Sequence, residues 1–463
     1  MFANLANTFS NCFKIPELKS RIFFTLVVLA ICRLAAVIRV PGLDGTKLAE
    51  FFAANTQSGS SVLGMYSMFT GGALEQCAIG ALGIMPYISA TIIIQLMTAV
   101  VPQLSKLARE EGGRTKIIQY GRYLTVILCL GQGTLMTLGW EKPESIFPGF
   151  TGELVMWESI WVYRITTVII LTTGTMLLMW LGEQITERGI GNGISLIITI
   201  GIVARFPQAA QALVDMFSAG GAVEESKFKV GEAAVLLLFL GAVIAGVVAV
   251  TQAQRKIPVQ YAQRAVGRKV FAGGTSFMPL KVNYAGVMPI IFAQAILMFP
   301  QKFFQILGGL VENKFLKDLF TWLAVHLQDG SGLYLVVYSL MILFFSYFWV
   351  ATQFNELQIS DDLKKNGGYI PGVRPGQATS DYLHHAMTRI TFAGAFFLVI
   401  IAIIPMLMYN LMDVPYQVAQ FFGGTSMLIA VGVMLDTMRQ VESHLLMRHY
   451  DGFLKKGRLK GRF

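Results

Sequence analysis

The side chains able to cut a bond, hold a metal or relay a proton are few and scattered in this chain. It has five histidines (His326, His384, His385, His444, His449) and four cysteines (Cys12, Cys32, Cys77, Cys129). Zinc sites and metalloproteases need short fixed spacings such as C-x-x-C or H-E-x-x-H, and neither pattern occurs. Three of the cysteines lie in or beside apolar stretches, where a thiol behaves as a small hydrophobe. There is no G-x-x-x-x-G-K-[ST] loop to cradle a nucleotide, and no Ser/His/Asp set stands out. The expectation is a protein that is not an enzyme and takes no cofactor or metal. Any energy it uses comes from a partner.

One pattern does recur. "GIMPYI" places Ile84 and Ile88 after Gly83, and "GNGISLII" places Ile194 and Ile198 after Gly193. Residues four apart share a helix face. A small residue beside them permits close helix approach and local bending. Lipid-facing or core isoleucines have the same spacing, so spacing alone leaves their role open. Pro86 interrupts the first of these stretches, the uncharged run Ala81–Val100.

The elements that carry these residues are membrane spans. Only 14% of the 463 residues are charged and 54% are hydrophobic, whereas soluble domains carry about 25% charge. Uncharged runs of bilayer length recur from end to end. Ten spans are expected, at 22–40, 77–101, 117–139, 159–181, 192–214, 232–254, 286–308, 333–354, 390–411 and 424–442. The first is read as a retained span, since no cleavage pattern follows it. Basic residues concentrate in loop 102–116, in loop 255–281 (Arg255, Lys256, Arg264, Arg268, Lys269, Lys281) and in the tail from Arg448. By the positive-inside rule these regions and both termini are cytoplasmic. Loop 300–332, with Lys302, Lys314 and Lys317, fits that rule least well. The formal charge of +10 suits anionic lipid, an acidic partner or RNA.

Ten spans divide into 1–215 and 232–463, joined by an external hinge loop at 216–231. Five spans per half give the halves opposite topologies, an inverted repeat without visible sequence self-similarity. Two cytoplasmic loops, about 251–285 and 355–389, are long enough to be either connectors or a docking platform. Ion-coupled transporters keep acids or histidines at mid-membrane depth, and the span centres lack them. Arg33 and Arg164 read as snorkelling or structurally paired cations. A solute transporter is therefore disfavoured. A purely structural scaffold would not require the Gly–Ile pairs.

The ordered stretches "GGALEQCAIGALGIMPYISATIIIQL", "WLGEQITERGIGNGISLII", "PLKVNYAGVMPIIFA", "GYIPGVRPG" and "FFGGTSMLIAVGV" closely resemble the SecY family, the channel subunit of the bacterial protein-conducting translocon. The resemblance covers essentially the whole chain. It implies an all-α polytopic membrane protein, with ten transmembrane helices in two inverted five-helix halves around a central pore. It further implies an apolar pore ring at Ile84, Ile88, Ile194, Ile198, Ile291 and Ile429. The plug half-helix would span about 62–73, with Val62, Leu63, Met65, Tyr66, Met68, Phe69, Gly71 and Gly72. A lateral gate would include Ser89, Gln132 and Phe299. The family's SecA motor and ribosome would dock on Arg255, Lys256, Arg264, Arg268, Lys269 and Arg374, with Tyr382 a weaker candidate. Implied partners are the SecE and SecG subunits, ribosomal RNA, signal sequences, nascent polypeptides and membrane lipid, including anionic lipid. The implied location is the bacterial cytoplasmic (inner) membrane.

Overall fold

The computed structural model describes residues 15–54, 70–110, 112–141, 143, 150, 152–217, 230–261, 264–266, 269–271, 274–294, 296–297, 300, 304, 313–327, 331–412, 421 and 425–456. The chain divides into two compact units, residues 1–213 with 429–463, and residues 214–428.

The first unit contains α1 (Pro16–Val37), α2 (Gly45–Ala54), α3 (Met85–Val100), α4 (Pro102–Arg109), α5 (Gly113–Glu141), α6 (Ile160–Arg188), α7 (Gly193–Val203) and, up to Leu213, α8 (Phe206–Phe217). Helix α3 packs on α5, α5 on α6, and α6 on both α1 and α7. Small residues set the closest approaches. A Cβ on Gly193 would lie 1.9 Å from the Gly182 carbonyl oxygen, and one on Gly174 would lie 2.3 Å from that of Ile79. The outer faces are apolar and exposed, as at Phe23, Leu26, Ile127, Ile165, Ile169 and Trp180. Such a surface suits hydrocarbon as solvent.

The second unit contains α9 (Val230–Gln252), then strands β1 (Gln254–Tyr261), β2 (Arg264–Val266), β3 (Lys269–Phe271) and β4 (Thr275–Lys281). After a helical stretch at 288–294 come α10 (Lys314–His326), α11 (Gly332–Gln353), α12 (Glu356–Lys365), β5 (Gly368–Tyr369) and α13 (Gln377–Met412). The last helix is α14 (Thr425–Lys456). From Ile429 onward it belongs to the first unit, where Val441 and Leu445 pack with Leu18 and Ile190.

Among the described residues six helices are long and apolar enough to span a membrane, and α3 with α4 makes a seventh if the bent pair counts as one span. The protein is thus a multi-pass helical membrane protein. Three expectations change in detail. The span expected at 77–101 becomes helical only at Met85. Pro86 is therefore not a kink inside a helix; it occupies the first turn, where its missing N–H costs nothing. The chain after it does not become a plain loop, because Pro102 starts α4 at 103° to α3. The span expected at 192–214 is present as Gly193–Gln211, with a turn at Ala204–Arg205 between α7 and α8. Finally, the described residues of the two long loops include paired strands, so the fold is not purely helical. β1 pairs antiparallel with β4, from Gln254↔Lys281 to Gln260↔Thr275. Gly368 and Tyr369 add to the other edge of β1. Ile257 and Val259 alternate inward along β1, while Lys256 and Pro258 face out, the period-2 pattern of a half-buried strand.

Candidate pore-lining site

The approach to α3 is a run of tight turns, residues 71–84. It is buried and not helical, which at membrane depth requires protein partners for its backbone. Those partners are present. Ile79 N–H donates to the Ile38 carbonyl at 2.9 Å, Gly80 N–H to that of Ala35 at 2.9 Å, and Val40 N–H to that of Cys77 at 2.9 Å. The turns need left-handed backbone at Gly71 (φ 63°), Gly72 (φ 90°) and Gly83 (φ 59°), which glycine adopts freely.

Two arginines fasten the start of this run. Arg33, on α1, donates from Nη2 to the Gly71 carbonyl at 3.1 Å. Arg205, at the α7–α8 turn, pairs with Glu75 at 2.6 Å, with side chains only 12% and 16% exposed. Gly71 leaves no space for more, since a Cβ there would lie 2.2 Å from Arg33 Nη1, whereas one on Gly72 would only touch Arg205 Nη2 at 3.4 Å. Below the fastening lies a cavity of about 30 Å³, lined by Cys32, Thr70, Gly83, Ile84, Ile197 and Gly201 among others. That volume holds about one water.

Ile84 is the residue that caps α3, and Ile88 lies one turn on, its N–H donating to the Ile84 carbonyl at 3.2 Å. The pair expected on one helix face thus straddles the helix start. In α7, Asn192 accepts from the N–H groups of Ile194 (3.1 Å) and Ser195 (3.3 Å), so a side-chain cap fixes where the second pair begins. Ile194 is half-buried, its Cγ1 lying over Gly182 of α6 together with Ile197. Ile84, Ile88, Ile198, Ile291 and Ile429 are all buried; Ile291 belongs to the second unit and the other four to the first.

Ser89 is buried on α3 and Gln132 half-buried on α5, the helix packed beside it. Phe299 lies outside the described residues. So do the plug residues Val62, Leu63, Met65, Tyr66, Met68 and Phe69, as well as Arg268 and residues 218–229 of the expected hinge loop.

On the sheet of the second unit, Arg255 and Lys256 are exposed on β1. Arg264 and Lys269 sit on the paired strands β2 and β3. Arg374 is exposed in the turn after β5. That turn is anchored: Thr379 Oγ1 donates to the Arg374 carbonyl at 2.9 Å, and Ser360 Oγ to that of Gly376 at 2.6 Å. Behind it pack Ile257, Leu280, Val350, Phe354, Ile370 and Leu383. Tyr382 is half-buried against this cluster.

Sequence reasoning missed two polar couplings. The first is the Glu75–Arg205 pair. The second is a bidentate pair between Arg122 on α5 and Glu183 on α6, at 2.7 and 3.1 Å. Arg164 also pairs bidentately, with Glu141, and stands 5.2 Å from the Trp161 ring centroid, as a structurally paired cation should. Isolated charges inside apolar stretches were the available signal; their partners were not readable from spacing.

Apolar-faced helices of bilayer length, a buried glycine-jointed turn segment and a basic sheet together define a multi-pass helical membrane protein. The family model for SecY matches residues 78–438. The protein translocase subunit SecY of Chlamydia trachomatis is 42% identical, over 98% of this chain and 99% of its own length. That of Escherichia coli K12 is 42% identical over 96% of both. The chain belongs to the SecY family of protein-translocation channel subunits. The fold agrees with a solved protein-conducting channel, at a TM-score of 0.60 and 19% identity, covering 95% of this chain and 94% of the other. It also agrees with Sec61 in the canine ribosome–channel complex from the endoplasmic reticulum, at 0.56 and 18%, with the same coverage.

Proposed function

We propose that this chain conducts unfolded secretory polypeptides across a bacterial cytoplasmic membrane and releases hydrophobic segments sideways into the bilayer. Ile84, Ile88, Ile194, Ile198, Ile291 and Ile429 form its seal. An apolar ring gates by dewetting and offers no fixed hydrogen bonds to hold a passing chain. Residues 62–73 form a plug above that ring. Ser89, Gln132 and Phe299 belong to the seam through which signal sequences leave. The chain itself catalyses no reaction. The SecA motor or a ribosome supplies the drive and docks on Arg255, Lys256, Arg264, Arg268, Lys269 and Arg374, the basic residues favouring rRNA phosphate. SecE and SecG complete the complex. Both termini and the β-sheet face the cytoplasm, and the halves 1–215 and 232–463 are related by inversion about the 216–231 hinge.

The observation that carries this reading is the burial of Ile84 and Ile88 at the end of a glycine-jointed segment that is itself fastened by Arg33 and Arg205. The test is replacement of Ile84, Ile291 or Ile429 by Asn. Ion leak through reconstituted vesicles should rise, and signal-defective substrates should be exported. Unchanged leak and unchanged selectivity would refute the ring.

A further inference from the structure

Helix α10 has a feature that a channel does not require: a strongly amphipathic surface with no buried residue. Phe315, Leu319 and Trp322 lie at i, i+4 and i+7, hence on one face, and are 74%, 42% and 51% exposed. Lys314, Lys317, Asp318 and Thr321 form an exposed polar row on the other side, with Val325, 54% exposed, along it. A third flank meets protein, since Phe320 stacks on Phe304 with ring centroids 6.0 Å apart, and Leu323 and Ala324 are half-buried. One flank is therefore covered, one is polar, and one is apolar and open.

The chain's own connectivity says what covers the open flank. α10 ends at His326 and the membrane-spanning α11 begins at Gly332, so residues 327–331 tether them within about 17 Å. The joint is also bonded. The Ser331 hydroxyl donates to the His326 carbonyl and accepts from Tyr334 N–H at 3.2 Å, capping α11. The outward apolar surface continues on α11 at Leu333, Val336 and Leu340. Because β5 follows the far end of α11, α10 sits at the membrane face opposite the β-sheet.

We propose that α10 is an interfacial anchor that lies in the bilayer surface at that face, with Phe315, Leu319 and Trp322 among the upper acyl chains and Lys314 and Lys317 directed to the headgroups. An amphipathic helix in this position buries its apolar side about 5–10 Å into the headgroup boundary. Tryptophan is the side chain most at home there, having an apolar body and a polar edge. Trp322 is further steadied by His326, whose ring stacks on it at 4.1 Å between centroids.

The test places a photoactivatable benzophenone residue at position 319 or, as the polar-row counterpart, at 321, in the full chain in its native membranes. Position 340, on the outward face of α11, serves as the lipid-exposed standard. Mass spectrometry after irradiation should find phospholipid adducts at 319 at a yield near that of 340 and several-fold above that of 321. A protein adduct dominating at 319 would mean that another subunit covers this flank, and would overturn the proposal. Equal, low lipid yields at 319 and 321 would mean that the helix stands in water, and would overturn it as well.

Discussion

Arg33 reaches from α1 to the backbone carbonyl of Gly71, 38 residues along the chain, and holds it at 3.1 Å. The contact reads main chain rather than a side chain, and it falls on the residue where the plug region would give way to the turns leading into α3. With Glu75–Arg205 beside it, this stretch is fixed to the first unit at two points.

Replacing Arg33 with Ala should remove a charge-assisted hydrogen bond contributing about 1.5–3 kcal/mol. Gly71→Ala should act in the same direction by another route. Alanine at φ 63° costs about 1–2 kcal/mol, and its Cβ would press on Arg33. Both variants should insert normally yet melt earlier in detergent and leak ions in vesicles. Wild-type melting and leak in both would show that the contact carries no load.

The pair Glu75–Arg205 is mostly buried, so removing one partner takes the opposite charge away from the other, while Arg205 keeps its hydrogen bond to Gln208. Glu75→Gln or Arg205→Gln alone should each destabilise by about 3 kcal/mol. The double variant should lose clearly less than the sum, giving a non-zero coupling in a double-mutant cycle read by thermal unfolding. Additive losses would argue that the two side chains act independently.

Gly193→Ala should be among the most damaging single-methyl additions in the first unit. Its Cβ would meet the Gly182 carbonyl at 1.9 Å, so α7 must move off α6 and carry Ile194 and Ile198 with it. Asn192→Ala removes only the cap, at about 1 kcal/mol. Export by the first variant should fall far more than by the second; comparable export rates would contradict the packing argument.

Gly368→Val should separate β5 from β1, because even a bare Cβ there lies 3.0 Å from the Tyr261 ring. Membrane insertion should be unaffected, while affinity for ribosomes or the SecA motor should drop in a sedimentation assay, as it should for Arg374→Glu. Unaltered binding by both variants would remove the sheet from the docking surface.

Much of this architecture is written locally. Continuous apolar runs mark α1, α5, α6, α11 and α13 because a helix in lipid must satisfy its own backbone and show hydrocarbon outward. The starts of α3 and α7 were harder to read. Gly83 and Gly193 look alike in sequence, yet one takes φ 59° before a proline start and the other lies helical behind an Asn cap. The sheet escaped notice because β1 and β4 read as a basic loop, and β5 is two residues long and lies far away in the chain. Arg33 was visible as an odd charge in an apolar run; that its partner is a backbone oxygen has no side-chain signature at all. The resemblance of "GIMPYI" and "GNGISLII" to family motifs makes Ile84, Ile88, Ile194 and Ile198 candidate ring residues, a role that spacing alone leaves open.

The pairing of β5 with β1 has a mechanical meaning. β1 and β4 grow from the end of α9, and β5 from the stretch between α11 and α13, so α9, α11 and α13 are yoked through one small plate of hydrogen bonds. A force on the hairpin is then not spent on bending a slack loop. It is shared between two separate attachment points in the membrane-embedded unit, and a partner that grips one loop also tugs the other.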